Sequence, residues 1–225
     1  MFQDLAKNIK KARLTRGLTQ EQLANTLGVS RPTYINIESG DKDPTAKELE
    51  KLSIALNISI AEFFDEPRNN EKFKQMYFYI LQFFKKGIPK TKLAKLLYFA
   101  DFRNYYEELN PMSGVRYIRR EYGPVADIFF EMTDNMYDMG EIDIVKQDFA
   151  LMIKSTTYQP QNDMLSGAEK KRIKEICELW KDKRTEEIVK YTHEQKTWRA
   201  CKDGEYIPYS LIIQENSDHV YTPIK

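Results

Sequence analysis

Residues 19–40 (TQEQLANTLGVSRPTYINIESG) constrain the fold of this chain more than any other stretch. Thr19 and Gln22 fit a capping box, so the sequence predicts that a helix begins there. Gly28 lies where a helix end requires positive φ. Ser30 is a good N-cap for a second helix, which Gly40 would end. Two short helices joined by a glycine-containing turn make the helix-turn-helix layout.

The second of these helices carries side chains suited to reading DNA. In this layout it enters the major groove, while the first helix of the pair lies over the backbone. Arg31 matches the edge of guanine and Asn36 that of adenine, and Gln20 is placed to donate to a phosphate. The other candidate DNA contacts are Pro32, Thr33 and Tyr34. The alternative is a small helical bundle whose polar face only meets solvent.

The charge distribution agrees with a DNA-binding function for the first part of the chain. The net charge is only +1, but residues 1–40 carry six Lys or Arg against three Asp or Glu. Residues 41–66 carry three against seven. The positive charge therefore falls on the first three predicted helices, where a phosphate backbone would attract it.

Capping and apolar spacing predict five helices over residues 1–66. The first runs from about residue 2 to 16, with an apolar stripe of Leu5, Ile9, Ala12 and Leu14. Capping boxes at Thr45 and Ser59 predict the last two helices, and the stripe of the fourth is Leu49, Leu52, Ile54 and Leu56. We expect this to be a complete small domain, followed by a polar linker at residues 67–71.

The sequence of residues 72–225 predicts a second domain, of the α+β class. The chain as a whole is predicted to be mainly α-helical. The first helix is expected from residue 71 to about 86, and the second after an N-cap at Thr91. Three more helices are expected to begin at Pro124, at Ser166 and after an N-cap at Thr185. The helix after Thr91 is apolar on so much of its circumference that it should be central and buried. VRYIRREY alternates as a strand, and residues 141–147 and 149–158 read as a β-hairpin turning near Gln147 and Asp148.

The helix at residues 73–84 is unusually aromatic. Its six Phe and Tyr residues cover more than one face, which is more than a single core can bury. We expect an interdomain surface, a dimer partner or another protein to cover the remainder.

The chain shows few signs of an enzyme. Cys177 and Cys201 form neither a CxxC pair nor a disulfide framework, which favours a reducing cytoplasm. Either thiol could pair with His193 as a nucleophile, but no signature supports it. The chain has no zinc-binding spacing, P-loop or dinucleotide motif, and no apolar run that could span a membrane or act as a signal peptide. We expect no catalytic activity, metal or cofactor.

Residues 5–64 resemble the lambda-repressor-like, or Xre-type, family almost end to end. The resemblance rests on TQEQLA, GVS, IESG, Pro44 and ALNIS. It implies binding to operator DNA, usually as a dimer on a palindrome. It also implies that Gln20 clamps a phosphate and that Arg31, Pro32, Thr33 and Asn36 face bases and backbone. Pro32 has no backbone donor and replaces a residue that is often polar, so base reading at that position is in question.

Residues 72–210 resemble the Panacea, or SocA-like, antitoxin domain. The resemblance rests on TKLAKLLYFADF, YIRREYGPV and YTHEQKTW, of which YGPV and the late His-x-x-x-x-Trp are the sharper parts. It implies that this domain binds and neutralises a toxin encoded beside it. Some members of the family carry an N-terminal helix-turn-helix, and a subset of relatives is thought to act as proteolytic adaptors.

The basic and aromatic residues of this second domain are candidates for a partner surface. We expect the toxin-binding residues to include Tyr98, Arg116, Tyr117, Arg119, Tyr122 and Trp198. The arginines among them, with Arg120, could instead form a second nucleic-acid patch or only the solvent face of a strand.

The sequence thus predicts a cytoplasmic, homodimeric antitoxin that neutralises its toxin through the second domain. It would repress its own operon through the first. The alternatives are a stand-alone repressor whose second domain senses a ligand or dimerises, and a proteolytic adaptor.

Overall fold

The computed structural model describes residues 2–58, 60–64, 69–158 and 163–221. The chain forms two compact units, Met1–Pro67 and Arg68–Lys225. The predicted cap at Ser59 and the start of the predicted linker, residues 67 and 68, lie outside the described residues. Within the described ranges no helix has the length and hydropathy needed to cross a membrane.

The first unit has the predicted run of short helices. Four α-helices are followed by one 3-10 helix: α1 (Phe2–Thr15), α2 (Gln20–Leu27), α3 (Arg31–Ser39), α4 (Ala46–Leu56) and the 3-10 helix (Ile60–Phe64). The last predicted helix is therefore a 3-10 turn.

The predicted caps of α2, α3 and α4 are confirmed. The backbone N–H of Gln22 donates to Thr19 Oγ1 at 3.2 Å, and that of Thr19 donates to Gln22 Oε1 at 2.8 Å. Thr45 makes the same reciprocal pair with Glu48. Gly28 ends α2 at φ 76°, in the left-handed region that glycine adopts without strain. Short-range hydrogen bonds therefore set where these helices begin and end.

Two residues of the predicted apolar stripes lie outside the core of this unit. Leu14 is 59% exposed and Ile54 is 75% exposed. Leu14 loses the inward position to Arg13, which follows Ile9 by four residues on the same face. Ile54 is two residues from both Leu52 and Leu56, which places it on the opposite side of α4. The core of this unit includes Leu5, Ile9, Leu23, Leu27, Tyr34, Ile37, Leu52, Leu56 and Phe63.

A central helix, α6 (Lys90–Glu108), organises the second unit. It is buried on every side, as predicted, by aromatic and aliphatic neighbours. Around it pack α5 (Asn70–Leu81), α8 (Gly167–Trp180) and α9 (Thr185–Glu194). The predicted cap at Thr91 is wrong, because the helix begins two residues earlier than expected, with Pro89 as its N-cap. The capping box at Ser166, by contrast, is present.

Two small antiparallel sheets complete the second unit. One has the order β1-β5-β4 and the other β3-β2-β6. Their strands are β1 (Ile88–Pro89), β2 (Tyr117–Ile118), β3 (Val125–Ala126), β4 (Ile142–Gln147), β5 (Ala150–Ser155) and β6 (Tyr206–Ile207). The predicted β-hairpin is confirmed as β4 and β5, with Gln147 opposite Ala150. Its turn is at Asp148 and Phe149, one residue later than expected.

Several element boundaries in this unit differ from the prediction. Helix α5 ends at Leu81 rather than near residue 86, and only Tyr117–Ile118 of VRYIRREY form a strand. No helix begins at Pro124, since the next two residues pair with β2 and α7 (Phe129–Asp138) follows. Pairing with a neighbouring strand here overrides local preference. Arg184, not Thr185, is the N-cap of α9. The chain continues through α10 (Lys196–Arg199), a 3-10 helix (Tyr209–Gln214) and α11 (Asp218–Tyr221).

Candidate functional site

Helix α3 presents part of its predicted DNA-reading face to solvent. Arg31, Pro32 and Asn36 are exposed, and Thr33 is half-buried. The hydroxyl of Ser30 accepts the backbone N–H of Thr33 at 3.2 Å, which caps the helix. Because Pro32 occupies the first turn, its missing N–H costs the helix nothing. These four predicted contacts are therefore accessible on the surface of α3.

Tyr34 is not available as a DNA contact, which corrects the sequence prediction. Its side chain is fully buried, and its hydroxyl donates to Glu38 Oε1 at 2.8 Å. Tyr34 lies three residues before Ile37, so the two share the inward face of α3. Burial raises the pKa of the Tyr34 phenol. The residue therefore anchors the recognition helix to the core.

A buried ion pair joins α1 to the end of α3. The guanidinium of Arg13 donates to both carboxylate oxygens of Glu38, at 2.5 and 3.1 Å. Arg13 also donates to the carbonyl oxygen of Leu18 at 2.8 Å. Burial alone would raise the pKa of Glu38, but hydrogen bonds from Arg13, Gln20 and Tyr34 outweigh it and hold that pKa below its usual value. The carboxylate thus stays charged where it fixes the orientation of α3.

Gln20 connects this ion pair to Arg31. Its side-chain amide nitrogen donates to Glu38 Oε2 at 3.1 Å, and its oxygen accepts from Arg31 at 3.4 Å. The amide keeps a second N–H. Its predicted role as a phosphate clamp stays a prediction, to which the geometry adds that Gln20 holds Arg31 at the start of α3.

The three segments behind the second resemblance meet around α6. The ammonium group of Lys95 donates to the carbonyl oxygen of Pro124 at 2.8 Å. The hydroxyls of Tyr98 and Thr197 lie 2.6 Å apart. The indole N–H of Trp198 donates to the carbonyl oxygen of Arg120 at 3.2 Å. Segments far apart in sequence thus form one substructure.

Two of the predicted toxin-binding residues are core residues, which is a second correction. Tyr98 and Tyr117 are both fully buried. The hydroxyl of Tyr117 lies 2.9 Å from Asp101 Oδ2, and the other oxygen of that carboxylate accepts the backbone N–H of Ser113 at 2.6 Å. Burial raises the pKa of Asp101 and of Tyr117. Both tyrosines serve packing, and neither can touch a partner.

The predicted arginines are held by contacts within the unit. The guanidinium of Arg119 lies 3.8 Å from the ring centroid of Trp198, and the Trp198 ring also stacks on His193 at 4.1 Å. Arg116 pairs with Asp127 at 3.3 Å and lies over the ring of Tyr206. These contacts disfavour a bare basic patch for nucleic acid. Tyr122, which is 62% exposed, is the most accessible of the six predicted residues.

A cleft of about 1400 Å³ opens beside these segments. Its floor includes Ala94, Lys95 and Val125, and its walls are the turn of the β4–β5 hairpin and one face of α9. Its rim exposes apolar side chains: Tyr122, Phe130, Phe149 and Leu151. Concave surfaces with apolar linings and a few polar groups are where proteins bind ligands and partners. Sequence reasoning missed the cleft, although it had singled out Tyr122 on its rim.

Lys95 is the charged group at the floor of the cleft. Its side chain is 1% exposed, and burial lowers its pKa to about 7. Among the described residues its ammonium group has no carboxylate partner, and its hydrogen bond goes to Pro124. The sequence signal that could have pointed to Lys95 is a lysine inside an otherwise apolar run, in a helix that was expected to be buried.

Comparison with known proteins identifies the two parts of the chain. Residues 9–63 match the helix-turn-helix family model. An uncharacterized HTH-type transcriptional regulator of Methanocaldococcus jannaschii is 40% identical over 60 residues, which are 27% of this chain and 91% of that protein. Residues 93–199 match the model of the SocA-like antitoxin, Panacea domain. The chain belongs to the helix-turn-helix family and carries a SocA-like Panacea domain.

Other helix-turn-helix relatives match about a third of the chain. The uncharacterized HTH-type transcriptional regulator YqaE of Bacillus subtilis is 36% identical over 67 residues, covering 30% of this chain and 57% of that protein. The cryptic phage CTXphi transcriptional repressor RstR of Vibrio cholerae is 35% identical over 71 residues, covering 31% and 64%. The chain thus spans less than two thirds of these two relatives.

The Panacea part does not favour the thiol chemistry considered from the sequence. Cys177 is buried in the core and Cys201 is half-buried. Burial raises the pKa of both thiols, which disfavours the thiolate that a nucleophile needs. Burial also lowers the pKa of His193, whose ring is stacked on Trp198.

Proposed function

We propose that this protein is an antitoxin that neutralises a cognate toxin through its Panacea domain and represses its own operon through its helix-turn-helix domain. The observation that carries the proposal is the presence in one chain of an exposed recognition helix and a SocA-like domain with an open, apolar-rimmed cleft. The name of the Vibrio cholerae relative, a repressor, supports repression through the helix-turn-helix domain.

DNA reading in this proposal rests on Arg31, Thr33 and Asn36, with Gln20 on a phosphate. Arg31 offers the planar fork that fits guanine O6 and N7, and Asn36 offers the donor and acceptor that fit adenine. One such helix reads few bases, so we propose a homodimer on two half-sites about 34 Å apart.

The proposal is tested with full-length protein and the promoter fragment upstream of its own gene. Arg31→Ala with Asn36→Ala should abolish specific binding, since each lost bidentate contact costs about 1–3 kcal/mol. Lys47→Ala, an exposed change on α4, is the matched control. Unchanged affinity in the double variant would refute the recognition-helix assignment.

Neutralisation is tested by co-expressing the same variants with the protein encoded beside this gene. The double variant should still restore growth, because the proposal assigns neutralisation to the Panacea domain. If restoration is lost with DNA binding, neutralisation depends on the first unit and the proposed division of labour is wrong.

A stand-alone repressor with a ligand-sensing second domain is the second candidate. The observation in its favour is the cleft itself. A neighbouring protein that neither binds this chain nor inhibits growth would favour that candidate.

A further inference from the structure

We propose that the cleft of the Panacea domain receives a segment of the toxin that carries a carboxylate among apolar residues, and that Lys95 binds this carboxylate. The inference rests on the proposed function, because it names the surface and the partner chemistry of that neutralisation.

The charge at the floor of the cleft is the first argument. Lys95 carries three N–H donors, and the one hydrogen bond that the structure gives it goes to the carbonyl oxygen of Pro124. A cation removed from water without an opposite charge is costly, and a carboxylate entering the cleft would remove that cost. The lowered pKa of Lys95 has the same cause, because burial disfavours the protonated ammonium group.

The matched lysine of the same helix shows that Lys95 is unusual. Lys92 is also buried, but its ammonium group donates to two carbonyl oxygens, of Lys181 and Lys183, at 3.1 and 2.6 Å. It thereby closes the end of α8 and does not line the cleft. Lys92 has two carbonyl partners and lies outside the cleft lining, whereas Lys95 has one carbonyl partner and lines the cleft.

The size and rim of the cleft favour a protein segment over a small molecule. Small-ligand pockets commonly enclose about 300–1,000 Å³, and this cleft is larger at about 1400 Å³. A helix 10–12 Å across rises 1.5 Å per residue, so such a volume corresponds to roughly 8–12 residues. Phe149 at the hairpin turn is fully exposed, and exposed apolar groups that adjoin a groove mark protein interaction sites.

The charges around the rim do not select a partner by themselves. Lys90 pairs with Asp134 at 3.5 Å, and Lys190 with Glu194 at 4.0 Å. The rim also carries Glu121 and Arg120, so both signs are present. Selection of an acidic group therefore falls to Lys95, inside the cleft, where low exposure strengthens the interaction.

The test measures the affinity of the full-length protein for the purified product of the neighbouring gene. Lys95→Met removes the cation at nearly constant volume and should weaken binding at least about 30-fold, the effect of truncating one side of a buried charge pair. Lys92→Met is the control on the same helix and should leave affinity unchanged.

A second pair of variants keeps the inference testable if Lys95→Met unfolds. Phe149→Ser alters a side chain that is fully exposed, so the fold should persist while binding weakens about tenfold. Met139→Ser changes another exposed apolar residue, outside the cleft, and is its control.

The outcomes separate the two proposals. If the unaltered protein does not bind the neighbouring product, the proposed function fails. If it binds, and Lys95→Met and Phe149→Ser bind equally well, the cleft inference fails while the proposed function stands. A loss of self-association in Phe149→Ser with toxin affinity unchanged would assign the cleft to a second copy and also overturn the inference. The inference would also fail if acetate or succinate stabilised the unaltered protein but not Lys95→Met, while both proteins bound the toxin equally well.

Discussion

Gly123 lies so close to Thr192 that a Cβ atom on the glycine would be 2.4 Å from the threonine Oγ1. The same atom would lie 2.8 Å from Lys95 Cε. Gly123 has φ +91°, in the region that side chains disfavour. The YGPV segment therefore needs its glycine both for its backbone and for close contact with α6 and α9.

Gly123→Ala should destabilise the Panacea domain by about 2–4 kcal/mol, combining backbone strain with overpacking. Both tryptophans, Trp180 and Trp198, lie in this domain, so their fluorescence during denaturant unfolding reports it alone. Gly140→Ala is the control, since φ is +70° there and no heavy atom lies within 4 Å. Equal effects of the two changes would mean that the contact with Thr192 contributes nothing.

Glu38→Gln should destabilise the first unit by about 2–4 kcal/mol, because it leaves the Arg13 guanidinium buried without its opposite charge. Glu21→Gln provides the comparison: its pair with Arg31 is exposed and 3.9 Å long, so we expect less than about 0.5 kcal/mol. An unfolding transition seen by far-UV circular dichroism, with no change in tryptophan fluorescence, reports the first unit alone. Similar losses in both variants would contradict the assignment.

The same ion pair predicts an acid-sensitive first unit. The folded pKa of Glu38 is depressed, so its contribution is complete above the ordinary glutamate pKa of about 4.3 and is lost as pH falls through the folded value. Denaturant midpoints measured from pH 7 down to pH 3 should fall more steeply for the unaltered protein than for Glu38→Gln. Parallel curves would show that Glu38 does not carry this dependence.

Lys95 predicts a second rise of stability with pH, in the alkaline range. Its folded pKa of about 7 lies below the ordinary lysine value, so only the unfolded chain holds this proton between about pH 7 and 10.4. Stability should rise with pH over that window, by up to about 1.4 kcal/mol per unit, relative to Lys95→Met. His193 interacts electrostatically with Lys95, but its lowered pKa keeps the imidazole neutral in this pH window. Tryptophan-monitored unfolding at pH 7 and pH 9.5 measures the difference.

Gln20→Ala distinguishes two roles for a residue that bonds both Glu38 and Arg31. If Gln20 only positions Arg31, the change should weaken specific promoter binding about tenfold and leave binding to unrelated duplex DNA unaltered. If it contacts a phosphate, both affinities should fall together. The double variant with Arg31→Ala completes the cycle, and additive losses would show that the two residues act independently.

Local sequence signals predicted the first unit well because its helices are bounded by short-range chemistry. A side chain that caps a backbone N–H three residues away, as at Thr19, is readable without any tertiary information. The apolar stripes were less reliable at Leu14 and Ile54. Periodicity alone does not reveal that a charged residue, Arg13, takes the inward position once Glu38 is placed opposite it.

In the second unit the sequence predicted the central helix, the hairpin, the mainly helical character and a strand that contains β2, but not the strand that pairs with β2 at Val125 and Ala126. Val125 and Ala126 read as the start of a helix and became a strand because β2 was there to pair with them. Tyr98 and Tyr117 were expected at a partner surface for a related reason. Aromatic residues serve cores and interfaces alike, and only the packing around Asp101 and Thr197 shows that these two are buried.

The sequence by itself determined the helix-turn-helix register, the caps of α2, α3 and α4, and the choice of Arg31 and Asn36 as candidate DNA contacts, since all of these depend on neighbours within a few residues. Only the tertiary structure decided that Arg13 of α1 pairs with Glu38 of α3, and that Lys95, the hairpin turn and α9 enclose one cleft. These relationships join residues that are tens of positions apart, and no local spacing encodes which of them will meet.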